Sequence, residues 1–320
     1  MRSFKKIIMV IVFVSICVAS SELLTIALVP DTIARVDLHN IRTKEYDDIF
    51  VGTSHGLNAI NPEIIDRKTG RKSTNLCLPN EFLVDSYYLI KETCRTKKPS
   101  RVIYQLDPSY WCTSENTGEN AVYIYNQYPF SDVKVKYFKA KIMELDFRTV
   151  LTPWIYYRNC YRSGVQTIKN KITNDYKNYG VNALNDEQRY FTKEGFVYQK
   201  PLEVTGEPDI VFWDESKLQE RERYYFDKIV NFCKKEGIEL VIISTPIPSV
   251  TLEKYQKQFT KADTYFANLA QEYDLKYYNF DKLSEKEFDK SITGYVDFEG
   301  HMSGELGNKF SMMLGTYLKK

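Results

Sequence analysis

The sequence predicts an α/β fold built on a parallel sheet, with a large insertion in its middle and a membrane-crossing helix ahead of it. Three observations lead there. Short apolar runs closed by turn residues alternate with amphipathic segments at strand–helix spacing, first over residues 47–108 and again from Glu220 to the C-terminus. Residues 109–219, between these parts, lose that rhythm. Ile7 to Val29 is almost wholly apolar and follows Arg2, Lys5 and Lys6. The 320 residues divide accordingly into a signal anchor (1–29), a linker (30–46) and one α/β domain (47–320) that carries an insertion over about 109–219.

As one helix, Ile7 to Val29 reaches roughly 34 Å, enough to cross a bilayer. The basic residues before it stay on the cytoplasmic side, so the body is expected outside the cytoplasm, held in the cell membrane by a single pass. A cleaved signal peptide ending near Ala19 to Ser21 is the competing reading. The apolar pattern resumes after Glu22, which favours the uncleaved anchor, although that glutamate needs an interface or a partner. Cys17 is no lipidation site, because Ile16 before it is too bulky. Residues 30–46 read as a polar linker, with His39 exposed and inert.

In the body, Ile49 to Val51 form a buried strand ended by Gly52, and Pro62 to Asp66 begin a short helix. KTGRKST turns the chain back into a second short strand ending at Asn75, Leu76 and Cys77. Phe82 to Lys97 is an amphipathic helix stopped by Pro99, and Arg101 to Asp107 is a third strand broken by Pro108. The insertion is helical over Val133 to Val150 and irregular later, with a hairpin or extended arm at Gly195 to Val204. The rhythm returns with a helix from Arg221 to Glu236, capped by Gly237. Ile238 to Pro248 is a buried strand, Leu252 to Tyr273 a helix, Leu275 to Phe280 a strand, and the tail an amphipathic helix.

Composition narrows the function. Setting aside Arg2, Lys5, Lys6 and Glu22, the 44 basic and 42 acidic residues balance, which argues against nucleic acid as a partner. Five cysteines lie outside the anchor (Cys77, Cys94, Cys112, Cys160 and Cys233), without the spacing of a zinc site, so neither metal nor cofactor is expected. The 25 tyrosines suit glycan contact but equally suit packing.

Two stretches carry chemistry. In DIFVGTSHGLNAINP the turn after the first strand presents Ser54 where an open parallel sheet places its ligands. In YVDFEGHMS, before the last helix, Asp297 and Glu299 precede His301. A serine hydroxyl needs a base to take its proton, and the base needs an acid to hold its tautomer. Taken singly, each stretch reads as an ordinary turn. His55, beside the serine, either contacts substrate or orders the turn. Asp107 reads as a turn former before Pro108, and nothing near Cys77 would make its thiol a nucleophile.

Together, GTSH after the first strand, NLC after the second, the strands RVIYQLD and VIISTPIP, the PWIYYRN segment and DFEGHMSGELGNKFS resemble the SGNH hydrolases, and within them the membrane-anchored DltD-like branch. The resemblance spans nearly the whole chain and rests on the order of short pieces. It implies a three-layer α/β/α, flavodoxin-like fold and extracytoplasmic acyl-ester chemistry on envelope polymers, including O-acetyl or D-alanyl transfer or removal. It assigns Ser54 as nucleophile and His301 as base. The family's acid usually stands two or three residues before the histidine; here Glu299 stands at two and Asp297 at four. Asp297 is preferred for its shorter, stiffer side chain, with Gly300 absorbing the extra residue. The oxyanion hole would use the backbone N–H groups of Ser54 and Cys77, with Asn80 or Glu81 where the family has a polar amide. The expected partners are an acyl donor and a cell-surface polysaccharide or teichoic acid-like polymer. Ser303, where the family often has Asn, keeps a second expectation open: a non-catalytic accessory protein working with a membrane-bound O-acyltransferase. A surface glycan-binding protein is the third.

Overall fold

Five parallel strands, β1 (Asp48–Gly52), β2 (Ser73–Asn75), β3 (Arg101–Gln105), β6 (Glu239–Ser244) and β7 (Lys276–Asn279), form the sheet in the order β2-β1-β3-β6-β7. β4 (Arg189–Phe191) and β5 (Val197–Gln199) make a separate antiparallel ribbon. The computed structural model describes residues 2–115, 124–210 and 212–319. Counting only the strands of the main sheet, the order is 2-1-3-4-5, a doubly wound arrangement whose strand order reverses at β1 and β3.

Alternation along the strands builds two cores. Ile49 and Val51, Val102 and Tyr104, and Leu240 and Ile242 point to one face. That face is covered by α2 (Ile33–Thr43), α5 (Leu83–Thr93), α6 (Glu220–Glu236) and α7 (Gln256–Tyr273). Phe50, Ile103, Val241 and Ile243 point to the other, against α3 (Ser54–Ala59), α4 (Pro62–Thr69) and α8 (Gly304–Leu318). The result is three layers, α/β/α, with the sheet buried on both sides as parallel sheets require. Gly237 ends α6 at φ 68° with the left-handed cap its position predicts.

Several boundaries move. The second strand stops at Asn75, α5 at Thr93 and the third strand at Gln105, each short of the expected limit. The stretch Val133 to Val150 is not one helix: helical and π turns run from Asp132 to Leu145, and the chain restarts at Arg148–Leu151. The Gly195 to Val204 arm is half of the β4/β5 ribbon. All six cysteines are free.

The expected linker is the largest correction. Residues 33–43 are a helix, α2, with Ile33, Val36, Leu38 and Ile41 buried in the core. Its polar look comes from Arg35, Asp37 and Asn40, which are also buried. Arg35 is paired to Asp31 at 2.7 Å and donates to the Gly180 carbonyl at 3.0 Å. His39 is half-buried and stacks on Tyr179 with ring centroids 3.5 Å apart, so it is neither exposed nor free.

Ahead of α2, the helix α1 (Arg2–Leu28) includes a 25-residue apolar span, Phe4–Leu28, of which residues 4–20 are all exposed. The insertion touches its C-terminal turns: Trp154 Nε1 donates to Ser21 Oγ at 2.9 Å, and Lys171 Nζ donates to the carbonyls of Ile26 and Val29. Elsewhere the insertion is tied to the sheet. Lys141, buried, bridges Asp85 of α5 at 2.5 Å and Glu115 at 2.9 Å. The ribbon's turn lies on the edge strand β2, where the Asn75 N–H donates to the Glu194 carbonyl at 2.9 Å and Gly195, at φ 84°, abuts the Asn75 carbonyl. Tyr46 and Lys44 hold the Glu194 carboxylate at 2.6 and 2.7 Å.

Candidate active site

β1 ends against β3 so tightly that only glycine fits at position 52. A Cβ there would stand 2.5 Å from the Gln105 carbonyl, and the backbone takes φ 148°. Thr53 then caps α3: its N–H donates to Gln105 Oε1 at 3.0 Å and its hydroxyl accepts the His55 N–H at 3.4 Å. Ser54 is the first residue of the helix, at the carboxyl edge of the sheet and beside the point where strand order reverses. Two contacts fix the depth of α3. Gly56 presses on Cys77, whose sulfur a Cβ would approach to 2.4 Å. Asn75 Nδ2 donates to the Gly56 and Ile60 carbonyls at 2.9 Å each.

The second loop is closed by the Tyr295–Met302 bridge and by the Val296 N–H to His301 carbonyl bond of 2.9 Å. Gly300 turns it at φ 115° against Ile247. This loop brings His301 Nε2 to 2.7 Å from Ser54 Oγ, and the ring's Nδ1 to 2.6 Å from Asp297 Oδ2. The other Asp297 oxygen accepts the backbone N–H groups of Glu299, Gly300 and His301. Burial alone would lower the His301 imidazole, but the Asp297 hydrogen bond and charge outweigh it and hold the ring above its ordinary range. Burial would likewise raise Asp297, and the same pairing with His301 holds it below the usual carboxylate value. Glu299 is exposed; its carboxylate stands within 4.8 Å of ring nitrogens of His55 and His301 without taking the Nδ1 bond. Of the two acids, the one adjoining the imidazole nitrogen is Asp297.

His55 carries a second imidazole into the same place. Its ring meets that of His301 edge-on, with centroids 4.5 Å apart, and its Nδ1 lies 3.2 Å from Asp107 Oδ2. Burial lowers its pKa, which favours the neutral ring. Asp107 also accepts the Thr53 hydroxyl at 3.2 Å and the Ser109 hydroxyl at 2.7 Å. It is therefore a hub beneath Ser54 rather than only a turn residue, and nothing in the local Leu-Asp-Pro pattern distinguishes the two.

Two expected oxyanion donors are elsewhere. The Cys77 N–H points at Asn75 Oδ1, 3.0 Å away, and the whole residue is buried. The short strand β2 ends early enough for Asn75 to fold its side chain over the next turn, and this occupies the donor. Asn80 is exposed in a left-handed turn, φ 54°, with Oδ1 accepting from the Tyr110 hydroxyl at 3.1 Å. It lines neither cavity at Ser54. Glu81 is buried and accepts the Leu78 N–H at 3.0 Å. Of the expected donors, the Ser54 N–H is the one left in the first turn of a helix, where backbone donors lack intrahelical partners.

Ser54 stands between two cavities. One, of about 280 Å³, is walled by His55, Asp107, Tyr110, Phe212, Glu299 and His301. The other, of about 460 Å³, runs past Leu57, Asn58 and Gln199 to Gln166 and Lys171 of the insertion and ends at Pro30 and Asp31, just beyond α1.

No protein-family model and no curated protein matches the sequence. Solved structures that resemble the fold include a G-D-S-L-family lipolytic protein from Desulfitobacterium hafniense DCB-2, 10% identical with a TM-score of 0.39, the match covering 85% of this chain and 98% of that one. Another is the acetyl xylan esterase Est2A from the rumen bacterium Butyrivibrio proteoclasticus, 9% identical with a TM-score of 0.31, covering 85% of this chain and 62% of that one. Likeness this loose carries no chemistry; that rests on the geometry around Ser54.

Proposed function

We propose that the protein is a membrane-anchored serine esterase or O-acyltransferase of the SGNH type, working outside the cytoplasm on an ester-bearing envelope polymer. The observation that carries this reading is the continuous relay Ser54 Oγ, His301 Nε2, His301 Nδ1, Asp297 Oδ2, with links of 2.7 and 2.6 Å. In this reading Ser54 Oγ attacks the ester carbonyl and His301 takes its proton. Asp297 holds Nδ1–H and stabilises the imidazolium. The tetrahedral oxyanion is met by the Ser54 N–H. His301 then protonates the departing alkoxide, and the acyl group leaves Ser54 for water or for a sugar hydroxyl. The two cavities flanking the hydroxyl would take the acyl group and the polymer, an acetyl or D-alanyl ester on a polysaccharide or teichoic acid-like chain.

The α1 helix, with Arg2, Lys5 and Lys6 in its first turns, supports the anchored, outward-facing placement. The accessory reading, a non-catalytic partner of a membrane-bound O-acyltransferase, is favoured by one specific feature: the Cys77 donor is occupied, which leaves a thin oxyanion hole. A fluorophosphonate probe separates them. The catalytic reading expects labelling of the wild type and its loss in Ser54→Ala, together with loss of hydrolysis of small acetyl esters. A wild type that takes no label and cleaves no ester would favour the accessory role.

A further inference from the structure

The insertion presents an apolar surface beside the last turns of α1. Along the helix Gly164–Lys171, three faces have different neighbours. Gly164 sits on α1, where an added Cβ would touch the Ala27 carbonyl at 3.5 Å, and Lys171 binds the Ile26 and Val29 carbonyls. Gln166, Thr167 and Asn170 line the cavity that leads to Ser54. Val165, Ile168 and Ile172, three and four residues apart, form a third face that is 68%, 40% and 63% exposed. Leu151, on the neighbouring turn, is 67% exposed. A soluble surface does not ordinarily gather such residues beside one another.

We infer that residues 147–172 lie in the outer leaflet of the membrane, forming an amphipathic platform around α1 that sets the Ser54 cleft at the lipid surface. The inference rests on the reading of α1 as an uncleaved anchor. Its support is continuity: the platform is fastened to Ser21 through Val29, the final ~12 Å of the apolar helix, which a bilayer core of about 30 Å places at its outer boundary. Charge agrees. Residues 147–174 hold Arg148, Arg158, Arg162, Lys169 and Lys171 and no acidic residue; Arg148 is paired to Asp146, and the other cations give the balance that suits anionic headgroups. Trp154 and Tyr156, half-buried, and Tyr161, exposed, supply the ring-rich content of an interface. Glu22, the costly residue of α1, lines a cavity of about 600 Å³ with Asn126, Gln127 and Lys171.

The test uses the full chain, one copy per nanodisc of phosphatidylcholine and phosphatidylglycerol, in a Cys17→Ser/Cys94→Ser/Cys160→Ser background, which leaves only buried thiols. Bimane is attached in turn at Val12→Cys, Leu151→Cys, Val165→Cys and Met312→Cys. Nitroxide lipids should quench bimane at 12, 151 and 165 several-fold more than at 312, and iodide should do the reverse. Iodide quenching at 151 and 165 equal to that at 312, with lipid quenching kept at 12, overturns the platform and leaves the anchor standing. Loss of lipid quenching at 12 as well removes the anchor and the platform together. Shielding at 165 that appears only with two copies per disc assigns the face to a second chain and also overturns the proposal.

Discussion

Asp297 grips His301 at both ends of the residue, accepting its backbone N–H on Oδ1 at 3.2 Å and its ring Nδ1–H on Oδ2 at 2.6 Å. One carboxylate thus shapes the loop and orients the imidazole. Asp297→Asn keeps an acceptor for the backbone but removes the charge. The rate of fluorophosphonate labelling should fall by roughly 10²- to 10⁴-fold. The pH profile should shift too. The reacting form is neutral imidazole, so wild-type labelling rises with pH through a value above 6.5, the ordinary position of the ring. Without the carboxylate, only the weaker charges of Glu299 and Asp107 oppose burial, and the inflection moves down. An unchanged profile in Asp297→Asn, with a changed one in Glu299→Gln, would transfer the role to Glu299.

His55 is expected to position His301 by packing. His55→Phe retains a ring beside His301 and loses the nitrogen facing Asp107, whereas His55→Ala loses both. Labelling in the alanine variant should drop on the order of tenfold, since small displacements of a base are costly, with the phenylalanine variant within about threefold of wild type. Equal, large losses in both would instead make the His55 nitrogens necessary.

Gly56 is a packing constraint under Ser54. Gly56→Ala drives a methyl into Cys77 and should cost about 1–3 kcal/mol in denaturant melts. Adding Cys77→Gly opens the space and should restore much of that loss along with Ser54 labelling. A double variant no better than Gly56→Ala alone would show that the strain lies elsewhere.

Asp37 of α2 is buried, and among the described residues neither carboxylate oxygen has a hydrogen-bond partner. Burial, with the Glu194 charge, raises its pKa well above the ordinary value of 3.8. The folded chain then binds this proton more tightly than the unfolded one, so stability is fullest below the unfolded value and declines as pH rises toward the folded one. Asp37→Leu removes the penalty and should stabilise by about 1–2 kcal/mol at neutral pH, less near pH 4. A variant less stable than wild type at both pH values would mean that the acid has a partner in solution.

The sheet was legible because it depends on short-range signals, whereas the pairing of Ser54 with His301, 247 residues apart, was expected only through the family resemblance. Apolar strands end at glycine or proline, and both loops follow the strand–helix grammar of a parallel sheet. What escaped were interactions between segments far apart in sequence. Arg35 made α2 look like a linker because, besides Asp31 nearby, its partners are the Tyr176 and Gly180 carbonyls, 141 and 145 residues away. Asp107 looked like a turn former because its contact with His55 exists only once β1 and β3 are side by side. The Cys77 N–H was misjudged for a local reason: a side chain two residues back competes for it.

The clasp between Glu194 and the β2 edge changes what the insertion is. A sheet margin left bare invites pairing with another chain, and here the insertion's own hairpin turn covers that margin while its flanks wall the cleft. The segment is therefore not a module that evolution or an engineer could trade between scaffolds. A chimaera that borrowed it without β2 and α2 would gain a groove with no floor, and the donor stripped of it would be prone to polymerise through its open side.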